Sequence, residues 1–188
     1  MNLRVEQTAI PDLVIAHLRE FPDPRGSFRE LFRAQHFAAV GLPTTIAQIN
    51  GSISSRGVVR GLHFQWDPAQ AKAMRVVRGR AFIVAVDVRA GSATFGNAWW
   101  RECAAGEPLW ICAPPGFARG FQALEDLTEV EYLCTSEYNP RAEGGIRWDD
   151  PALGIPWPIP AAGLSDKDRA APTLAEWRAG PQGKVFAI

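Results

Sequence analysis

Short apolar runs separated by glycine or proline constrain the fold more than any other feature of this sequence. Between about residues 45 and 133, runs of β-branched and aromatic residues alternate with Gly- or Pro-bearing breaks, a pattern typical of strands joined by turns. The predicted strands are 44–53, 58–65, 73–77, 81–88, 99–103, 108–112, 117–124 and 128–134. Eight short strands at this spacing favour an all-β sandwich or barrel.

The chain has 188 residues, which suits one domain with one core. We predict an N-terminal arm of about residues 1–43, a barrel of about 44–135 and an irregular C-terminal arm of about 136–188. Helical signals are confined to the edges. Residues 34–40 are helix formers followed by Gly41, and Thr173 is placed to cap a short helix over 174–178.

Charge and cysteine content exclude several classes of function. Twenty Lys and Arg balance twenty Asp and Glu, so a nucleic-acid partner is not expected and any anion must be bound by a local cluster. The longest apolar stretch, 81–86, is too short to cross a bilayer, and the first residues do not resemble a signal peptide. Cys103, Cys112 and Cys134 form no CxxC pair, which favours reduced thiols in a cytoplasmic protein.

Polar side chains crowd two or three consecutive predicted strands, where a regular strand would alternate polar and apolar residues. They are Gln48, Asn50, Ser52, Arg60, His63, Gln65 and Lys72. Each alone is more simply explained as a surface or satisfied residue, but together they predict a polar cavity. Strand alternation would place Arg60 and His63 on opposite faces, and Gly61 would allow a bulge that turns both into one cavity.

A set of motifs in order along the chain resembles the dTDP-4-dehydrorhamnose 3,5-epimerase family over about residues 10–172. The motifs are 21–30 (FPDPRGSFRE), 48–50 (QIN), 60–65 (RGLHFQ), 69–75 (AQAKAMR), 86–89 (VDVR), 92–96 (SATFG), 115–121 (PGFARGF), 138–140 (YNP), 143–148 (EGGIRW), 155–158 (IPWP) and 164–168 (LSDKD), with Tyr132. The resemblance implies a cupin-like jelly roll with short peripheral helices. It also implies no metal or other cofactor, and a homodimer in which the N-terminal arm of one subunit contributes to its partner's site.

The resemblance further implies an epimerase acting at C3, C5 or both of a nucleotide-linked, dTDP-type 4-keto-6-deoxyhexose. His63 corresponds to the family's base, and imidazole suits this task because its ordinary pKa of about 6.5 is close to neutral pH. Asp168 corresponds to the acid that orients the base, and Tyr132 to the proton donor. Lys72 supplies positive charge where the enolate oxygen develops.

The substrate-binding positions are also implied by the resemblance. They are Arg25, Phe28, Glu30, Gln48, Asn50, Arg60, Tyr138, Glu143 and Lys167. Arg119 stands where the family has histidine, and we expect it to contact the diphosphate or a sugar oxygen through its planar donors. Glu137 stands where the family commonly has an aromatic residue.

Three alternatives stay open from the sequence. The chain could epimerise only C3 or only C5, because Arg119 and Glu137 alter the sugar pocket. It could bind a nucleotide sugar without catalysis, since arginine cannot act as a base near neutral pH. It could be a cupin ketoisomerase or a metal enzyme. A metal site would need several histidines, and only His63 lies in a predicted barrel strand, which counts against this alternative. His17 and His36 are interpreted as ordinary surface residues.

Overall fold

The structure is a computed structural model that describes residues 3–187. Its strands form two large antiparallel sheets and one small hairpin. The strands are β1 (Leu3–Gln7), β2 (Val14–Leu18), β3 (Glu20–Asp23), β4 (Gly26–Arg29), β5 (Gln48–Ser54), β6 (Val59–Gln65), β7 (Lys72–Arg78), β8 (Arg80–Asp87), β9 (Ala98–Ala104), β10 (Leu109–Ala113), β11 (Phe117–Ala123), β12 (Thr128–Cys134) and β13 (Glu143–Gly145). The helices are α1 (Ala34–Ala38), a 3-10 turn (Pro151–Leu153), α2 (Asp166–Arg169) and α3 (Leu174–Ala179).

From β5 to β13, successive strands alternate between the two large sheets, except that β8 and β9 are neighbours in one sheet, as in a jelly roll. The six-stranded sheet has the order β1-β2-β10-β7-β12-β5, and the five-stranded sheet has the order β13-β6-β11-β8-β9. Hairpin β3-β4 pairs only with itself. The predicted all-β, cupin-like fold with short peripheral helices is confirmed.

All eight predicted strands are present, but β1 to β4 and β13 were not predicted. The first predicted strand begins later than expected, at Gln48. The six-stranded sheet extends into the predicted N-terminal arm, because β2 pairs with β10 and β1 pairs with β2. Residues 14–18 form a short apolar run like those of the other strands, so the signal for β2 was available. Helix α3 is capped by Thr173 as predicted.

The main core lies between the two sheets. Met74, Ile111 and Val130 from the six-stranded sheet pack with Ile83 and Phe121 from the five-stranded sheet. Burial of these side chains away from water is the dominant favourable contribution to folding.

Both sheets are also covered on their outer faces. The C-terminal arm places Trp177 and Phe186 against Phe64 and Val84, while α1 places Phe37 near Trp110 of the other sheet. Coverage on both faces explains why β8 is almost continuously apolar instead of alternating.

Among residues 3–187, no helix has the length and apolar character needed to cross a membrane. The three cysteines are free and buried.

A buried ionic cluster fixes the turn after β8. The Asp87 carboxylate is fully buried and accepts hydrogen bonds from Arg89 Nη2 (2.8 Å), Ser92 Oγ (2.6 Å) and Thr94 Oγ1 (2.7 Å). Arg89 Nη1 also donates to Asp12 Oδ2 at 2.6 Å. Burial alone would raise the pKa of Asp87, but these hydrogen bonds lower it to about 2. The cluster ties β8 to the loop between β1 and β2.

We predict that Asp87→Asn lowers the free energy of unfolding at pH 7 by about 3–5 kcal/mol, because it breaks a buried ion pair and leaves Arg89 with only the exposed Asp12 as an acidic partner. Since the pKa of Asp87 is depressed in the folded state, its stabilisation is complete above about pH 4 and is lost as pH falls towards 2. Urea unfolding at several pH values measures both effects. Glu125→Gln, at a half-exposed pair with Arg80, is the control and should cost less than about 1 kcal/mol. Equal costs for the two variants would contradict the prediction.

Candidate active site

Two glycines bring β6 and β11 unusually close together. A Cβ on Gly61 would lie 2.7 Å from Gly120 Cα, and a Cβ on Gly120 would lie 2.5 Å from Arg60 O. Gly61 also has a φ of +130°, which disfavours any residue with a side chain. The register shifts here, because Arg119 pairs with His63 whereas Phe121 pairs with Arg60. Strand β6 therefore carries one extra residue.

This extra residue brings side chains of β6 together as the sequence predicted. Arg60 and His63 both line one open cavity of about 810 Å³ between the two sheets. Strands β5, β7, β11 and β12 and the segment leading into α2 supply its other walls. Seven of the predicted site residues line it: Asn50, Arg60, His63, Lys72, Arg119, Tyr132 and Asp168.

A histidine–aspartate pair lies in the wall formed by β6. His63 Nε2 is 2.5 Å from Asp168 Oδ1, and Asp168 N donates to Ser165 Oγ at the start of α2 (3.1 Å). Burial would raise the pKa of Asp168, but the hydrogen bond and charge of His63, with a further bond from Ser165, hold it below its ordinary value. An ionised Asp168 accepts the Nε2 proton, so Nδ1 is the nitrogen of His63 that can accept another.

Tyr132 enters the cavity from the opposite sheet. Its strand, β12, lies between β5 and β7. The Tyr132 hydroxyl is hydrogen bonded to Ser52 Oγ at 2.8 Å, and Lys72 Nζ lies 5.8 Å from the ring centre. Burial raises the pKa of Tyr132 to about 12, although Ser52 and the charge of Arg60 act in the other direction. The phenol therefore keeps its proton at neutral pH.

Two cations, the half-buried Lys72 and the buried Arg119, complete the interior of the cavity. Burial, followed by the charge of Arg119, lowers the pKa of Lys72 to about 8. Arg119 is 3% exposed, and its Nη1 donates to Gln70 O at 3.0 Å. Within the described residues, its Nε and Nη2 are buried with no hydrogen-bond partner. Burial lowers the pKa of Arg119 to about 10, so both side chains carry positive charge at neutral pH.

Four further predicted residues form a connected group beside the cavity. Tyr138 OH donates to Glu143 Oε2 at 2.7 Å, and Lys167 forms an ion pair with the same carboxylate. Gln48 Nε2 donates to Asn50 Oδ1 at 2.8 Å, and Gln48 Oε1 accepts from Tyr138 N at 2.9 Å. Gln48 therefore connects a cavity-lining residue to the loop that carries Tyr138.

Three predicted binding residues are not brought to the cavity of their own chain. Arg25 lies in hairpin β3-β4, where it pairs with Asp23 at 2.7 Å. Phe28 is in the same hairpin and is 65% exposed. Glu30 follows the hairpin and forms ion pairs with Arg33 and His36. None of the three lines the cavity, because the hairpin has no strand partner in either large sheet.

Some residues that shape the site were given no role, and one polar residue has another role. Ser52 belonged to the polar cluster and Ser165 to the 164–168 motif, but neither was assigned a function. Gln65 donates to Pro68 O and accepts from Asn139 N, so it secures loops outside the cavity. His17 is hydrogen bonded to Glu6 and is half-buried rather than fully at the surface.

Residues 3–187 contain no cluster of three His, Cys, Asp or Glu side chains suited to a metal ion.

Comparisons with known proteins agree with this architecture. A family model described as dTDP-4-dehydrorhamnose 3,5-epimerase matches residues 7–176. The dTDP-4-dehydrorhamnose 3,5-epimerase of Neisseria gonorrhoeae is 46% identical over 173 residues, which cover 90% of this chain and 52% of that protein. The chain thus spans about half the length of this relative.

Two solved structures are similar over nearly the whole chain. The dTDP-6-deoxy-D-glucose-3,5-epimerase RmlC of Legionella pneumophila, in complex with dTDP-4-keto-L-rhamnose, has a TM-score of 0.87 and 37% identity and covers 92% of this chain and 93% of its own. ChmJ, a 3'-monoepimerase of Streptomyces bikiniensis in complex with dTDP-quinovose, has a TM-score of 0.85 and 37% identity, with coverages of 93% and 89%. With sequence, fold and family model in agreement, the chain belongs to the dTDP-4-dehydrorhamnose 3,5-epimerase family of isomerases.

Proposed function

We propose that the protein epimerises a dTDP-linked 4-keto-6-deoxyhexose by proton transfer through an enolate, without a cofactor. The observation that carries this proposal is the arrangement of His63, paired with Asp168, on one sheet and Tyr132 on the other, both lining one cavity. Epimerisation requires a base on one face of the sugar ring and a proton donor on the other face. Groups that enter from opposite walls meet this requirement.

In the proposed reaction, the C4 ketone acidifies the C–H bonds at C3 and C5. His63 Nδ1 takes a proton, the C–H electron pair forms a carbon–carbon double bond, and the carbonyl electrons move onto oxygen. Asp168 stabilises the imidazolium that results. Tyr132 then protonates the carbon from the other face, and its high pKa ensures that the proton is present beforehand. The ketone is regenerated, and solvent restores both side chains.

The cations divide into two groups that suit different parts of the substrate. Arg60 is exposed, and Lys167 is half-exposed, and we propose that they bind the diphosphate through charge-assisted bonds. Asn50, held by Gln48, and the Tyr138–Glu143 pair are proposed to contact the sugar and nucleoside. Lys72 is proposed to act near the ketone.

A 3-only epimerase is the second candidate, because ChmJ, a 3'-monoepimerase, is about as similar to this chain as the Legionella 3,5-epimerase is. Overall similarity therefore does not select between one and two inverted centres. The positions that acquire deuterium in heavy water distinguish these outcomes directly.

We also propose a homodimer in which hairpin β3-β4 of one subunit reaches its partner's cavity. Among the described residues, the hairpin pairs with neither large sheet of its own chain, and Phe28 of β4, which lies opposite Phe21, is exposed. An exposed aromatic ring on such a hairpin is suited to stack on a nucleobase. This arrangement would bring Arg25, Phe28 and Glu30 to a substrate that their own cavity does not place near them.

We predict that His63→Ala abolishes incorporation of solvent deuterium into dTDP-4-keto-6-deoxyglucose, because it removes the base, while dTDP still binds. NMR assignment of the label measures exchange, and calorimetry measures dTDP affinity. His17→Ala is the control, since His17 lies on β2 and pairs with Glu6 of β1, and this variant should exchange at the parent rate. Persistent exchange in the His63 variant would refute the proposed base, and absence of exchange in the parent protein would refute the epimerase proposal.

The proposed arm exchange predicts complementation between two inactive variants. His63→Ala lacks the base, and the double variant Arg25→Ala with Glu30→Ala lacks two arm contacts. In a mixed dimer, one cavity has an intact base and an intact partner arm, so co-expression should restore about a quarter of the parent activity. Co-expression of His63→Ala with Asp168→Asn is the control and should restore nothing, because both changes fall in the same cavity wall. No recovery in the first pair would contradict arm exchange.

A further inference from the structure

Among the described residues, Arg119 is a buried cation with no acidic partner. Its guanidinium lies in the cavity wall formed by β11 and bonds only the Gln70 carbonyl, while Nε and Nη2 are buried without partners within residues 3–187. Burying a charge without a counter-charge, or an N–H group without an acceptor, destabilises a folded protein. The position therefore lowers stability, and fold formation alone does not explain it.

A second cation, the half-buried Lys72, lines the same cavity and increases this cost. After burial, the charge of Arg119 is the next cause that lowers the pKa of Lys72, as expected for two like charges close together. The acids nearby are already engaged, since Asp168 pairs with His63 and Glu143 pairs with Lys167. The interior of the cavity is therefore an anion site that lacks an anion among the described residues.

Depth in the cavity indicates which anion belongs there. Arg60 is exposed and Lys167 half-exposed, so the mouth suits a hydrated diphosphate, whose charge is permanent. Arg119 lies inside, directly opposite His63 in the strand pairing. A cation beside the base and away from water is best placed to stabilise charge that develops only as the base removes a proton.

We propose that Arg119 Nη2 and Nε contact the C4 oxygen of the substrate together with Lys72, so that Arg119 is a catalytic residue of this chain rather than a diphosphate ligand. This inference rests on the proposed function. When His63 takes the proton from the carbon beside the ketone, the carbonyl electrons move onto this oxygen, and the two cations stabilise the resulting enolate. When Tyr132 returns a proton to carbon, the carbonyl reforms and the negative charge is lost.

Three substitutions and one control test the inference. Arg119→Gln removes the charge, Arg119→Lys keeps it, and Arg119→Met replaces the side chain with an apolar one of similar length. Arg75→Gln is the control, since Arg75 also lies in a strand but pairs with Glu131 outside the cavity. For each protein, the rate constant of deuterium exchange at saturating substrate, the KM, the affinity for dTDP and the urea midpoint of unfolding are measured.

We expect Arg119→Gln to slow exchange at saturation by about 10²–10³-fold, because one preformed donor to an oxyanion is lost, while the affinity for dTDP stays within about threefold of the parent value. Arg119→Lys should recover part of the loss. Arg119→Met should be as slow as Arg119→Gln yet at least as stable as the parent, because replacing an unpaired buried charge by an apolar side chain is neutral or stabilising. Arg75→Gln should exchange at the parent rate.

Exchange by Arg119→Gln within twofold of the parent would overturn the inference and leave the epimerase proposal intact. A large loss of dTDP affinity with unchanged exchange at saturation would instead assign Arg119 to the diphosphate. Lower stability of Arg119→Met would show a structural role, and this variant also decides the matter if Arg119→Gln does not fold. If the parent itself shows no exchange, the proposed function fails first, so the two failures are distinguishable.

Discussion

The close contact between Gly61 and Gly120 is the constraint on which the site depends. Each glycine occupies space that a Cβ of the other would need, so β6 and β11 approach closely only because both positions lack a side chain. The extra residue accommodated there puts Arg60 and His63 on the same side of β6 and sets Arg119 opposite His63. Without this contact, strand alternation would separate the base from one of its neighbouring cations.

Burial and neighbouring charges around the cavity determine which group can accept a proton and which can donate one. A buried carboxylate, Asp168, holds His63 Nε2 and leaves Nδ1 as the acceptor. Burial keeps the Tyr132 phenol protonated. Lys72 and Arg119 supply positive charge, and the nearby acids Asp168 and Glu143 are already paired with His63 and Lys167. Burial of these two cations decreases the stability of the free protein, as is common at functional sites, where residues serve the reaction at a cost in stability.

Pattern alone predicted the strands that build the cavity, and the polar cluster on 48–72 correctly indicated where it lies. It could not join His63 to Asp168, which are 105 residues apart in sequence, and their pairing was expected only from the family resemblance. Strand periodicity also says nothing about depth, so the burial of Arg119 and its unpartnered nitrogens required the structure. For hairpin β3-β4, the resemblance predicted substrate-binding residues, but these residues do not line the cavity of their own chain.

The central claim is that base and donor act from opposite walls of one cavity, and the Tyr132→Phe variant tests it most directly. His63 should still remove the proton and return a deuteron to the same face, so NMR should show label entering the sugar with configuration retained. Inversion should fall by about 10²–10⁴-fold, because the donor on the other face is missing. Inversion at the parent rate, or a parallel loss of exchange and inversion in a folded variant, would contradict the two-sided mechanism.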